Sequence, residues 1–233
     1  MRSLYGIPIL ILNTVVMGTL SLLTLIIDPR GRMSHVIARY WSRCILYTCG
    51  VRVERHGLAE LDRATSYIVI SNHQSILDIP ILVAFLPLHF RIMAKKILFL
   101  IPFMGWHLWL SGHIAIDRKS LREGARALLK AAQKVKRGTS ILLFPEGTRG
   151  LDGRPGPFKL GGFRLAQEHQ LPILPVTIDG SWRILPKGSA WLRSAPPVHL
   201  TFHPPVCVHG DEVRSDLAAQ VRETVVGPLS PKA

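Results

Sequence analysis

The chain has 233 residues, with 29 Lys and Arg against 15 Asp and Glu and a formal charge of +14. That length suits one globular domain with an appendage and is enough to bury a full core, while the charge favours anionic partners: a phospholipid surface, phosphorylated substrates or nucleic acid. Cys44, Cys49 and Cys207 are an odd set with no CxxC or Cys/His ligand spacing, which points to a reducing compartment and away from structural zinc.

Leu4 to Ile27 contains no charged residue. As a helix it would measure about 36 Å, against a hydrocarbon core of about 30 Å. Arg2 alone precedes it and Arg30, Arg32, Arg39 and Arg43 follow, so the positive-inside rule puts the rest of the chain in the cytoplasm. No A-x-A-like site closes the segment and Asp28-Pro29-Arg30 ends it abruptly, which speaks against a cleaved signal peptide. Gly6, Pro8 and Asn13 interrupt the run, which also suits entering the bilayer without a clean crossing. A second, amphipathic helix is expected over Ser34–Thr48. Val36, Ile37, Tyr40, Trp41, Cys44, Ile45 and Thr48 form its apolar face, with Arg39, Ser42 and Arg43 opposite. Trp and Tyr flanked by Arg suit the membrane interface, although an ordinary core-facing helix would show the same spacing. Residues 1–50 therefore read as a two-helix anchor at the cell membrane, with the globular part, 51–233, on its cytoplasmic side.

Val51 to Arg55 alternates like a half-buried strand, and 57–65 connects it to a short buried strand at Tyr67–Ile70. Ser71 and Asn72 break that strand, and the apolar run Ile76–Leu86 looks helical. His73 lies in the turn between, five residues before Asp78. On a continuous helix such a pair points about 140° apart. The two meet only if His73 sits in a non-helical lead-in and Asp78 projects back from the first turn. The carboxylate would then fix the imidazole tautomer and leave the other nitrogen basic. Ser75-x-x-Asp78 reads equally as a capping box.

Phe90 to Ala94 is a third strand, Lys95-Lys96 opens a short apolar helix ending near Pro102, and 105–110, with Trp106 and Trp109, suits burial or a lipid face. Gly112 to Arg118 is a strand running into a charged turn. Ser120-x-x-Glu123 caps a helix through Arg137, on which Arg122, Arg126, Lys130 and Lys134 form a basic stripe opposite Leu121, Ala125, Leu128, Ala132 and Val135. The stripe fits a solvated face, or a surface for anionic lipid or an acidic acyl carrier. Ser140–Phe144 is another central strand, and 158–162 opens a helix through His169. Ile173–Asp179 and Val198–Phe202 are further strands, and 211–226 is a closing amphipathic helix. This alternation predicts an α/β fold, a mixed sheet wrapped by helices. No metal-binding motif joins His35, His56, His89, His107, His169, His199, His203 and His209.

In Pro145-Glu146-Gly147-Thr148-Arg149-Gly150 the glycines let backbone approach a ligand, Pro145 stiffens the turn and Arg149 offers a planar fork for phosphate oxygens. Glu146 would hold Arg149 or bind a substrate hydroxyl. The segment is no Walker loop, and no serine nucleophile elbow is present to suggest a lipase.

Asn72-His73-x4-Asp78 and Phe144–Gly150, in this order at two strand ends, resemble the glycerolipid acyltransferases, specifically the 1-acylglycerol-3-phosphate (lysophosphatidic acid) acyltransferase family. The resemblance covers roughly residues 50 to 205. It extends to Ala94-Lys95-Lys96, to Gly112–Arg118 (with Ala115 where an aromatic is common), to Phe158-Lys159-Leu160-Gly161, and to Ile173-Leu174-Pro175-Val176. It implies an acyltransferase domain over 51–233, with His73 as general base and Asp78 as its orienting partner. Lys95, Arg118, Glu146, Gly147, Thr148, Arg149 and Lys159 would bind substrate. The donor would be acyl-CoA or acyl carrier protein, the acceptor a lysophospholipid at a phospholipid membrane, and the product phosphatidic acid. No metal or redox cofactor is implied, and no nucleic-acid-binding motif accompanies the charge.

Overall fold

The computed structural model describes residues 2–28, 31–57, 61–62, 64–117, 121–135, 139–150, 153–189, 191–210 and 213–230. Helices α1 (Arg2–Ile27) and α2 (Arg32–Thr48) open the chain, followed by β1 (Val53–His56), β2 (Ile68–Ser71), α3 (Asp78–Phe85) and β3 (Phe90–Lys95). After a 3-10 turn at Lys96–Leu100 come α4 (Met104–Leu110), β4 (Ile114–Ile116), α5 (Leu121–Val135), β5 (Ser140–Leu143) and α6 (Gly161–Glu168). The chain ends with β6 (Ile173–Asp179), α7 (Ser181–Ile184), β7 (Val198–Phe202) and α8 (Arg214–Val226).

The strands form one sheet in the order β1-β7-β6-β2-β5-β3-β4. From β6 to β4 all neighbours are parallel, whereas β7 runs antiparallel to β6 and carries β1 parallel beside it. Every residue of β2, β5 and β6 is buried, as a parallel sheet covered on both faces requires. Alternation sends Val69, Leu142, Leu174 and Val176 to one core, with Ile81 and Leu82 of α3 and Leu46 of α2. Ile68, Ile70, Ile141 and Leu143 go to the other, against Ala131 of α5, Phe163 of α6 and Val221 of α8. Pro175 is tolerated inside β6 because the β7 ladder begins one residue later, at Val176 opposite Phe202, and the proline carbonyl still accepts the His203 N–H at 3.1 Å.

The expected mixed sheet with flanking helices is what forms. One helical face, that of α2, differs from expectation. On α5 Leu128 and Ala132 pack on the core beside the buried Ala127 and Ala131, with Arg126 and Lys130 outward as expected and Leu129 outward with them. Ser120 and the side chains of Leu121, Arg122, Glu123, Ala125 and Val135 lie outside the described residues. On α2 the polar face is the docking face: Ser34, His35 and Ser42 are buried, and the Arg39 guanidinium donates to the carbonyls of Leu86 and Leu88 at 2.6 and 3.1 Å. Val36, Tyr40 and Tyr47 point outward instead.

Helix α1 packs on α2 and α4, and its polar residues make the joints. The Trp41 indole donates to Thr14 Oγ1 at 3.2 Å, Ser21 Oγ lies 2.9 Å from Ser34 Oγ and 2.6 Å from His107 Nδ1, and Ser34 reaches Ser111 at 2.8 Å. Ile11, Leu12, Val16, Leu23 and Ile27 face away from the protein. Among the described residues no helix is long and apolar enough to cross a membrane. The crossing suggested by the uncharged run is therefore not met; α1 runs unbroken through Pro8, and Thr14 and Ser21 are turned into its contacts with α2 and α4.

Behind this joint His35 and His89 meet edge-on at 5.2 Å, and Arg91 Nη1 lies 3.1 Å from His89 Nε2. Burial, reinforced by the charges of Arg39 and Arg91, lowers His35 to about 3; burial and Arg91 lower His89 and His107 to about 4. In the folded protein these imidazoles stay neutral, while the unfolded chain protonates them near their ordinary value of about 6.5. Their contribution to stability is thus present above that value and lost as pH falls from it toward about 4. Thermal denaturation should show Tm falling between about pH 7.5 and pH 5, and His107→Gln should reduce that fall; an unchanged pH dependence in the variant would refute the assignment.

Candidate active site

Ligands of open α/β sheets bind beyond the carboxyl ends of the strands, and the neighbouring strands β6, β2 and β5 deliver their C-terminal turns side by side. Asn72 prolongs β2 with its side chain: Nδ2 donates to the Ile178 carbonyl and Oδ1 accepts the Ile178 N–H, both at 2.8 Å. The amide thus replaces one rung of ladder just past the last paired residues, Ser71 and Val176. His73 follows in the non-helical lead-in to α3, its ring stacked on Phe144 at a centroid distance of 4.1 Å.

Asp78 is the first residue of α3 and is fully buried. Its Oδ2 accepts from His73 Nδ1 at 2.8 Å and from the backbone N–H groups of Gln74 and Ser75 at 2.7 and 2.8 Å. Its Oδ1 accepts the Ser181 hydroxyl at 2.5 Å. One oxygen thus closes the turn and holds the ring, but the capping box is not formed: α3 begins at Asp78 without a side-chain cap, and the Ser75 hydroxyl donates to the Leu185 carbonyl. With Nδ1–H directed at the carboxylate, the lone pair of His73 sits on Nε2, which has no hydrogen-bond partner among the described residues. The arrangement is that of an oriented base able to take a proton from a hydroxyl beside it.

Glu146, expected to hold Arg149 or a substrate hydroxyl, does something else. Its Oε1 accepts the His73 N–H at 2.7 Å and its Oε2 the Gly156 N–H at 2.9 Å. Burial pushes its carboxyl up to about 7, against the lowering effect of those two donors. The turn after β5 is thereby tied to the base loop, and the Gly150 N–H adds a bond to the His73 carbonyl at 3.3 Å. Gly147 has φ 72°, and a Cβ there would lie 3.0 Å from Lys159 Nζ, so the lysine head covers the turn. At Gly150 a Cβ would stand 2.3 Å from the Arg154 carbonyl oxygen. The Arg149 guanidinium is half-buried and makes no hydrogen bond among the described residues.

Of the residues singled out from the sequence, His73, Asp78, Glu146, Gly147, Thr148, Arg149 and Lys159 come together around these turns. Lys95 is exposed at the end of β3, on the same sheet edge but beyond β5, and Arg118 lies outside the described residues. Sequence reading missed Asn72 as a structural tie, Ser181 and Lys187. The one signal for Ser181 is its position behind Gly180, which has φ 96° at the end of β6. The histidines left unconnected include a pair that does meet: His56, His199 and Glu54 each offer a ligand atom within 4.8 Å of the others, all exposed. Two imidazoles and a carboxylate suit a borderline divalent metal, but this group lies on β1 and β7, separated from β2 by β6.

A family model described as Acyltransferase matches residues 52–179. The chain is 34% identical over 178 residues to a chloroplastic 1-acyl-sn-glycerol-3-phosphate acyltransferase of Brassica napus, covering 76% of this chain and 51% of that protein. It is 35% identical over 177 residues to the 1-acyl-sn-glycerol-3-phosphate acyltransferase of Saccharomyces cerevisiae, covering 74% of this chain and 58% of that one. The chain spans between about half and two thirds of the length of such curated relatives. The crystal structure of the 1-acyl-sn-glycerophosphate (LPA) acyltransferase PlsC from Thermotoga maritima superposes with a TM-score of 0.79 at 26% identity, over 97% of this chain and 95% of that one.

Asn72→Ala would leave the N–H and carbonyl of the fully buried Ile178 unpaired. Urea denaturation should show a loss of about 2–4 kcal/mol from two such groups, with the denaturant slope unchanged; a loss below about 1 kcal/mol would mean that the amide does not replace a ladder rung.

Proposed function

The chain belongs to the acyltransferase family, and on that premise we propose that it moves a fatty acyl group from acyl-CoA or acyl carrier protein to the free hydroxyl of 1-acylglycerol-3-phosphate, giving phosphatidic acid. The observation that carries this reading is the His73–Asp78 pair at 2.8 Å, with Nε2 left as a base beside a turn bearing Arg149 and Lys159. A lysophospholipid hydroxyl is a poor nucleophile and a thioester is already activated, so one positioned base is enough. His73 Nε2 removes the hydroxyl proton as the oxygen attacks the thioester carbonyl carbon. Asp78 stabilises the imidazolium, and as the C–S bond breaks the proton passes to the leaving thiolate. The transfer needs no metal or redox cofactor. Glu146 acts through His73, holding its backbone rather than touching substrate. Arg149, Lys159 and Lys95, with Arg118, supply positive charge for the acceptor phosphate and raise the effective concentration of its hydroxyl at the base.

In the same reading residues 1–50 anchor the protein in the cytoplasmic face of the membrane, and 51–233 carry the transfer. Support comes from the inverted polarity of α1 and α2, whose serines and Arg39 face the protein while Ile11, Leu12, Val16, Val36 and Tyr40 face out. Trp106 and Trp109 on α4 extend that surface. An interfacial hairpin, with its apolar side in the headgroup and acyl boundary, meets these constraints without a crossing helix.

His73→Ala should lower kcat by several orders of magnitude with membrane association intact; retention of more than about a tenth of wild-type turnover would exclude His73 as the base. Arg149→Lys keeps the charge and loses the fork. Its kcat/KM should fall by about 1–3 kcal/mol for lysophosphatidic acid and less for lysophosphatidylcholine. A wild type that prefers the choline acceptor would sink the phosphatidic acid assignment while leaving acyl transfer standing.

A further inference from the structure

We infer that Lys187, from the connection between β6 and β7, is a further cation of the acceptor site: it binds the phosphate of the acceptor and holds the Thr148–Arg149 turn against it. The inference rests on the acceptor being a phosphomonoester. Lys187 Nζ donates to the Arg149 carbonyl at 2.9 Å and to Thr148 Oγ1 at 3.3 Å. Both acceptors are neutral, and among the described residues the half-buried ammonium has no carboxylate partner. An ammonium has three donors, so one remains after these two contacts.

The surroundings sharpen the case. Lys159 Nζ lies over Gly147 on the same turn, and the Arg149 guanidinium has no partner among the described residues. The carboxylate of that turn, Glu146, is engaged by the backbone N–H groups of His73 and Gly156. Among the described residues, three cationic side chains thus gather at residues 147–149 with no carboxylate bonded to them, an arrangement that favours an anion among them. Lys187 is also placed with respect to the base. Two residues before it, the Leu185 carbonyl accepts the Ser75 hydroxyl at 2.7 Å, and Ser181 of the same connection donates to Asp78 at 2.5 Å. Gly188, with φ 86°, lets the chain turn away immediately after the lysine. The segment that buttresses the dyad therefore also carries a cation to the turn where the phosphate would sit, fixing the distance between anion and base.

The test compares wild type, Lys187→Met and Lys187→Arg in steady-state turnover of 1-acylglycerol-3-phosphate, and in direct titration with glycerol 3-phosphate as a soluble probe of the head group. Lys187→Met should raise KM for the acceptor and weaken glycerol 3-phosphate binding by about tenfold each, with kcat within about twofold of wild type. Lys187→Arg, which keeps the charge, should recover most of both. A fall in kcat with KM and probe affinity unchanged, or an arginine variant as impaired as the methionine one, would overturn the inference and leave Lys187 as a brace of the turn. The acceptor reading fails separately, if wild type prefers lysophosphatidylcholine. In that case the titration still decides: a tenfold loss of glycerol 3-phosphate affinity in Lys187→Met upholds the anion site, whereas equal affinity, or no binding by wild type, refutes it.

Discussion

Asp78 is a buried carboxylate that gathers four donors: an imidazole, two backbone N–H groups and a hydroxyl. A carboxylate taken out of water is costly unless such donors meet it, so the path of the chain through residues 73–78 and the position of Ser181 are bound to one side chain. The same dependence explains why His73 is oriented. The ring of His73 is fixed by the carboxylate on one edge and by Phe144 on its face, leaving rotation about its bonds little freedom and Nε2 a single direction.

Around this centre the three strand-end turns are tied to one another. Asn72 joins the turn of β2 to β6, Glu146 joins that of β5 to the His73 backbone, and Ser181 and Leu185 return the chain after β6 to Asp78 and Ser75. Each tie is a hydrogen bond between groups with little access to water, where an unmade bond costs more than a made one contributes. The result is an imidazole held by backbone and a cationic turn held by side chains, with Glu146 as the link between them. Burial raises its carboxyl to about 7, so its charge changes near neutrality.

The first two helices show a different economy of polar groups. In a water-soluble helix the polar face looks outward; here Ser21, Ser34, His35, Arg39 and Ser42 look inward, and Ile11, Leu12, Val16, Val36 and Tyr40 look outward beside Arg32 and Arg43. The buried serine and histidine joints give the pair one orientation on the domain. Leu46 of α2 lies in the same buried cluster as Val69 and Leu142, so the hairpin is docked to the core that positions β2.

Much of this architecture was legible in the chain itself. Continuous β-branched and leucine runs bounded by turn residues located β2, β5 and β6, because burial on both faces leaves no polar alternation to confuse the reading. The spacing of His73 and Asp78 was legible too, since residues five apart meet only where a turn leads into a helix. The orientation of α2 was not. Its periodicity shows two faces but not which one meets the protein, and that depends on Leu86 and Leu88 presenting carbonyls to Arg39 from far along the chain. The partners of Glu146 were equally out of reach, because a glutamate beside an arginine suggests a local pair while the N–H groups that claim it come from loops at residues 73 and 156. Sequence determined the strands, the dyad and the chemistry it can perform, all set by local spacing and side-chain type. Tertiary structure alone decided which donors complete Asp78 and which lysine reaches Arg149, because those contacts join segments that only the order of strands in the sheet brings side by side.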